Sequence, residues 1–121
     1  MNPASDQRAR YESFGGIVQL ESPVALAFVD QQAMRELGYP GSPLWQREAR
    51  YLSAPTEVHF NITHRCNLAC RHCTADAGEG EELGTAALER ALDGLAAAGV
   101  YHVAFGGGEL FLRPDAIALA Q

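Results

Sequence analysis

The chain has 121 residues, 47% of them hydrophobic and 20% charged, and a formal net charge of −6. That length holds one modest core, or a small domain followed by part of a larger one, and an acidic balance with scattered basic residues excludes a nucleic-acid footprint. All nine basic residues are arginine, so Schiff-base and lysine-nucleophile chemistry are excluded too.

Residues 1–13 are polar, lack the apolar core of a signal peptide, and read as a leader. No apolar run reaches the length of a membrane span, so a cytoplasmic address without membrane association is expected. From Phe14 the pattern changes. Ile17, Val18 and Leu20 precede Glu21-Ser22-Pro23, and Val24, Leu26, Phe28 and Val29 follow, which predicts two short strands joined by a tight turn. Asp30 is placed to cap a short helix with Ala33, Met34 and Leu37 on its apolar face and Gly38 as its stop. Residues 14–38 thus read as a β-β-α element. Residues 39–56, rich in proline and glycine around Trp45, read as an interdomain linker with one helical turn at 44–51.

A second domain is expected over residues 57–121. Val58, Phe60 and Ile62 alternate with His59, Asn61 and Thr63, the signature of a strand that ends where the cysteines begin. After an acidic glycine-rich loop, with Glu79, Glu81 and Glu82 on a solvated face, Thr85 is the expected N-cap of a helix. Leu88, Ala91, Leu92 and Leu95 form its buried stripe and Gly99 ends it. Residues 100–105 read as a second strand, followed at once by Gly106, Gly107, Gly108 and Glu109, and Pro114 as the first residue of another helix near Arg113. The order β, α, β, α opens a parallel α/β fold with a right-handed crossover. Two parallel strands cannot bury themselves, so the chain reads as the first part of a larger domain.

Cys66, Cys70 and Cys73 are the only cysteines, spaced C-x3-C-x2-C on the loop after the first parallel strand. An odd number packed this tightly argues against disulfides and for reduced thiols acting as metal ligands. An iron–sulfur cube usually takes four thiolates, one per iron, so three on one loop would leave one iron open to an outside ligand. The glycines after the second strand would bare main-chain groups toward a ligand, and Glu109 adds a carboxylate. Such a pairing suits a zwitterion seated between the loops. Both loops follow the C-terminal ends of parallel strands, where α/β folds place their active sites. The plainer alternatives are a structural zinc site with His59, His64 or His72 as fourth ligand, and an ordinary strand-to-helix turn at residues 106–109. His59 and His102 read as rim or interior residues without a role, and Phe14 and Trp45 as local packing.

The cysteine triplet followed by Gly-Gly-Glu at this spacing resembles the radical S-adenosylmethionine (SAM) superfamily, over residues 57–115. The resemblance implies a partial or full TIM-like (β/α) barrel. It also implies a [4Fe-4S] cluster on Cys66, Cys70 and Cys73, with SAM chelating the fourth iron. One-electron reduction then cleaves SAM to methionine and a 5′-deoxyadenosyl radical that abstracts hydrogen from substrate. Gly107, Gly108 and Glu109 would match the loop that binds the methionyl group, and His72 the position whose backbone lies near the adenine. Leu110 stands where many members have proline. An electron donor such as flavodoxin or ferredoxin is implied as a partner.

Residues 10–38 resemble the opening of a PqqD-like recognition element, which binds the leader of a ribosomally made precursor peptide by adding it to a sheet edge. Peptide maturation is therefore the expected role. The rivals are a non-catalytic peptide-binding module and a zinc-stabilised structural domain.

Overall fold

Apolar side chains recurring from residue 15 build the first sheet of the computed structural model, which describes residues 7–121. Strands β1 (Ala9–Glu12), β2 (Gly15–Glu21) and β3 (Val24–Asp30) pair antiparallel in the order β1-β2-β3. The β2–β3 hairpin closes Glu21 on Val24 through Ser22 and Pro23, whose peptide bond is cis. Helix α1 (Gln31–Glu36) follows directly, its first turn capped by Asp30, whose Oδ1 accepts from the Ala33 N–H at 2.8 Å. The capping residue, the apolar face and Gly38 are as the sequence predicts. Strand β1 corrects the reading of residues 1–13 as leader, since Ala9 pairs with Val18 and Glu12 with Gly15. Residues 1–6 lie outside the described residues.

The described residues divide into two compact units, one ending at Ser53 and the other spanning residues 54–121. In the first, Val18, Met34 and Trp45 form the core, with Tyr11, Val29, Leu37 and Tyr39 packed against it. Trp45 sits on a 3-10 turn (Pro43–Gln46) and is buried, its indole N–H donating to the Gly15 carbonyl at 2.8 Å and its ring 4.8 Å beneath the Arg35 guanidinium. An indole buried with its N–H satisfied belongs to the core it fills. The stretch read as a linker is therefore, as far as Ser53, part of the first unit. Glu12 fastens its end: the buried carboxylate accepts from Arg10 Nε at 2.7 Å and from both the N–H and the hydroxyl of Ser53 at 2.8 Å.

In the second unit β4 (Glu57–Thr63) and β5 (His102–Gly107) pair in parallel, joined by α2 (Thr85–Ala97). Ile62, Leu88 and Ala116 form the core, with Phe60, Phe105, Leu110 and Leu119 against them. Leu88 of the predicted stripe is buried, while Ala91, Leu92 and Leu95 are half-buried. Three local expectations are corrected. The N-cap of α2 is Gly84 rather than Thr85, whose hydroxyl instead donates to Asp115 Oδ2 at 2.6 Å. Strand β5 runs two residues further than expected, taking in Gly106 and Gly107. Pro114 does not open the last helix: a 3-10 turn (Leu110–Leu112) comes first, and α3 (Ala116–Leu119) starts beyond Asp115. Among the described residues, no helix is long and apolar enough to cross a membrane.

Candidate functional site

Strands β4 and β5 end side by side, Thr63 opposite Gly107, so the cysteine loop and the glycine–glutamate loop leave the sheet at one end. Main-chain bonds then tie them together. Gly108 N–H donates to the Thr63 carbonyl at 3.0 Å and Glu109 N–H to the Arg65 carbonyl at 2.8 Å. Space dictates the glycines. Gly107 has φ of +123°, and a Cβ there would collide with the Thr63 carbonyl, while one on Gly108 would collide with the Arg65 carbonyl and approach Cys66 Cβ at 3.1 Å. The expectation that this loop bares its main-chain groups toward a ligand is thus corrected for the amides of Gly108 and Glu109, which hold the neighbouring loop. The missing side chains of Gly107 and Gly108 admit its backbone.

Together the loops enclose a concavity of about 250 Å³ lined by Cys66, Cys70, Cys73, His72, Gly107, Gly108 and Glu109, with Leu68 and residues 74, 75 and 77 completing the wall. Every residue expected at the site is therefore at this one hollow. Cys66 is half-buried and Cys70 and Cys73 are exposed; all three are free thiols. A turn closed by Cys73 N–H donating to the Cys70 carbonyl at 3.2 Å brings the last two together. Asp76 adopts φ of 47°, a left-handed conformation that aspartate tolerates. One residue on, the Ala77 N–H donates to Cys73 Sγ at 3.5 Å. Hydrogen bonds from the Ala77 and Ala75 amides hold the Cys73 thiol below its ordinary pKa, favouring the thiolate a metal needs. Glu109 turns one carboxylate oxygen onto the Phe111 N–H at 3.2 Å. Among the described residues, no three His, Cys, Asp or Glu side chains converge as one metal ion would require. A cube takes one thiolate per iron and so a wider triangle.

Sequence reasoning missed what holds this arrangement. Glu82, read as part of a solvated face, reaches back to the start of the cysteine loop. Its Oε1 accepts from the Thr63 hydroxyl at 2.5 Å, the His64 N–H at 2.9 Å and the Arg65 N–H at 3.3 Å, and its Oε2 lies 3.6 Å from Arg65 and 3.5 Å from Arg113. The Thr63 hydroxyl, then the two amides and Arg65, hold the Glu82 carboxyl below the usual carboxylate range. Arg113, read only as a flank of a helix start, is buried. It donates to the Ile62 and Leu83 carbonyls at 3.0 and 2.8 Å. No spacing or periodicity signals either contact. His59 and His102 are exposed and flank Glu57 at the opposite end of the sheet, at 2.9 and 3.7 Å, away from the cysteines.

A loop of three thiols and a glycine–glutamate loop thus leave the C-terminal ends of adjacent parallel strands in an α/β unit. The profile of the Radical SAM superfamily matches residues 60–121, half of the chain, and the chain belongs to that superfamily. Mycofactocin maturase MftC of Mycobacterium tuberculosis is 37% identical over 78 residues, which are 63% of this chain and 20% of that protein. The PqqA peptide cyclase of Ruegeria pomeroyi is 41% identical over 71 residues, 56% of this chain and 19% of the cyclase. The subtilosin biosynthesis protein AlbA of Bacillus subtilis is 40% identical over 65, covering 51% and 14%. The chain thus spans about a fifth of the length of the first two. Among solved structures, SuiB of Streptococcus suis bound to S-adenosylmethionine superposes with a TM-score of 0.71 at 18% identity, covering 95% of this chain and 37% of SuiB. The fold is therefore mixed α/β, a three-stranded antiparallel sheet followed by a parallel β-α-β, as in the matching part of SuiB.

Proposed function

We propose that this chain contributes the cofactor-binding part of a radical SAM peptide maturase. The observation that carries the reading is the shared hollow: three free thiols and the Gly107-Gly108-Glu109 loop line one concavity. The donor set fits a [4Fe-4S] cluster, since Cys66, Cys70 and Cys73 can each take one iron and no fourth cysteine exists to close the cube. When bound, the cluster supplies the electron that splits SAM into methionine and an adenosyl radical able to take hydrogen from a substrate. The chain's own residues hold and orient. The Ala77 and Ala75 amides face the Cys73 thiol and hold it below its ordinary pKa. Gly107 and Gly108 keep the two loops in main-chain contact, Glu109 offers a carboxylate oxygen to the ammonium of a methionyl group, and the backbone at His72 borders the space for adenine.

The substrate reading rests on the relatives. They include a mycofactocin maturase and PqqA peptide cyclases, and a solved SuiB structure contains the precursor peptide SuiA. The first unit presents β3 as an edge strand, to which an extended leader peptide could add by main-chain pairing. Precursor-peptide recognition by the β-sheet unit and reduction by a flavodoxin- or ferredoxin-type donor complete the proposal.

Anaerobic reconstitution with iron and sulfide, followed by EPR of the reduced sample with and without SAM, tests it. A [4Fe-4S]+ signal that changes on adding SAM is expected, and C66A, C70A and C73A should each abolish it. Stoichiometric zinc with no such signal would replace this reading with that of a structural zinc domain.

A further inference from the structure

The peptide groups at residues 63–65 are engaged on both sides. The Thr63 and Arg65 carbonyls accept the amides of Gly108 and Glu109 and the His64 carbonyl that of Gly78, while the N–H groups of His64 and Arg65 donate to the carboxylate of Glu82. A carboxylate bridging successive main-chain amides is the arrangement that binds anions in backbone nests, and charge makes each bond stronger than a neutral one. The Thr63 hydroxyl binds the same oxygen at 2.5 Å while also accepting the Arg65 N–H at 3.1 Å, so the carboxylate, the hydroxyl and the two amides fix one another. Arg65 and Arg113 balance the charge, and Arg113, nearly buried and anchored on the Ile62 and Leu83 carbonyls, ties the carboxylate to the core. The Thr63–His64 peptide plane carries both the His64 N–H and the Thr63 carbonyl, so rotating it to release Glu82 would swing that carbonyl away from Gly108.

We infer that Glu82 is a positioning residue that sets the cysteine loop and the Gly107-Gly108-Glu109 loop at their mutual distance. This rests on the proposed function for its consequence, SAM affinity, but not for its geometry. Two assays separate the two. The first is amide hydrogen exchange on the metal-free 121-residue chain. E82A should speed exchange by about tenfold at His64 and Arg65 and, through the shared Thr63–His64 peptide plane, also at Gly108, which Glu82 does not touch, while amides within α2 keep their protection. Acceleration confined to His64 and Arg65 would overturn the inference.

The second assay is SAM titration of the reconstituted chain by EPR. E82A should hold as much iron as the wild type and bind SAM about tenfold more weakly, and E82Q, which keeps an acceptor oxygen, should stay within about threefold. An unchanged SAM affinity per loaded cluster in E82A would overturn the inference, because a merely structural role would lower iron content and leave that affinity alone. If the wild type forms no SAM-responsive cluster, the proposed function fails while the exchange result still decides the role of Glu82. Should E82A lose the protection of α2 as well, T63V, which removes only the hydroxyl, is judged by the same exchange criterion.

Discussion

Arg113 and Asp115 face each other as a fork, Nε to Oδ1 at 2.7 Å and Nη2 to Oδ2 at 3.0 Å, with the Thr85 hydroxyl on the same carboxylate at 2.6 Å. This joins the segment after β5 to the first residue of α2. The Arg113 guanidinium, and then Thr85, pull the Asp115 carboxyl down to about 2 from an ordinary 3.8. A depressed native pKa contributes stability above the unfolded value that is lost as pH falls through the folded one. The second unit should therefore lose stability between pH 3.8 and about 2 through this group, and D115N should flatten that part of an acid-unfolding profile followed by circular dichroism.

Arg113 itself is buried with four acceptors around it, the Ile62 and Leu83 carbonyls, Asp115 and Glu82. R113M would leave the Ile62 and Leu83 carbonyls without their donor and take the guanidinium from both carboxylates, so a loss of about 1–3 kcal/mol is expected in denaturant unfolding. R113K keeps the charge but not the planar fork and should recover only a minor part of that loss.

Gly107 and Gly94 should respond in opposite directions to the same substitution. At Gly107 a methyl group meets the Thr63 carbonyl and the backbone lies at positive φ, whereas at Gly94, inside α2, it meets nothing within 4 Å. G94A should stabilise the chain by about 0.5–1 kcal/mol through helix propensity. G107A and G108A should separate the two loops and remove the SAM-dependent change in the EPR signal.

Trp45 gives a test in the first unit. W45F keeps much of the packing but leaves the Gly15 carbonyl without its 2.8 Å donor, at a cost of about 1–3 kcal/mol. W45A, which also opens a cavity beside Val18 and Met34, should cost about 3–5 kcal/mol. Thermal unfolding followed by far-ultraviolet circular dichroism distinguishes the two.

What could be read from sequence was whatever local chemistry encodes. The β2–β3 hairpin, the Asp30 cap and the β4-α2-β5 order follow from alternation, capping and helical period, and the cysteine spacing with Gly-Gly-Glu identified the superfamily. Contacts distant along the chain were not legible. Glu82 looked like any exposed glutamate because its partners, Thr63 to Arg65, lie 17–19 residues away, and Arg113 is 51 residues from the Ile62 carbonyl it binds. The stretch around Trp45, whose own reading as local packing holds, was misread as an interdomain linker because proline and glycine there signalled a connector. The 3-10 turn that drives Trp45 into the core depends on a pocket formed by strands 30 residues earlier. Strand β1 escaped notice because four residues, half of them charged, carry little apolar pattern.

The irregularity in the β4–β5 ladder reaches further than its size. Asn61 pairs with Gly106 and Thr63 with Gly107, so Ile62 is one residue too many on its strand, and Ile62 and Thr63 are both buried where strict alternation would have turned one outward. The supernumerary residue acts as a half-turn in the strand's phase, and everything downstream inherits it. Without this irregularity, regular alternation would set Ile62 opposite Gly107 and turn Thr63, from which the cysteine loop departs, to the outward face. In this fold, the address of the cysteines is written in the parity of the strand that carries them.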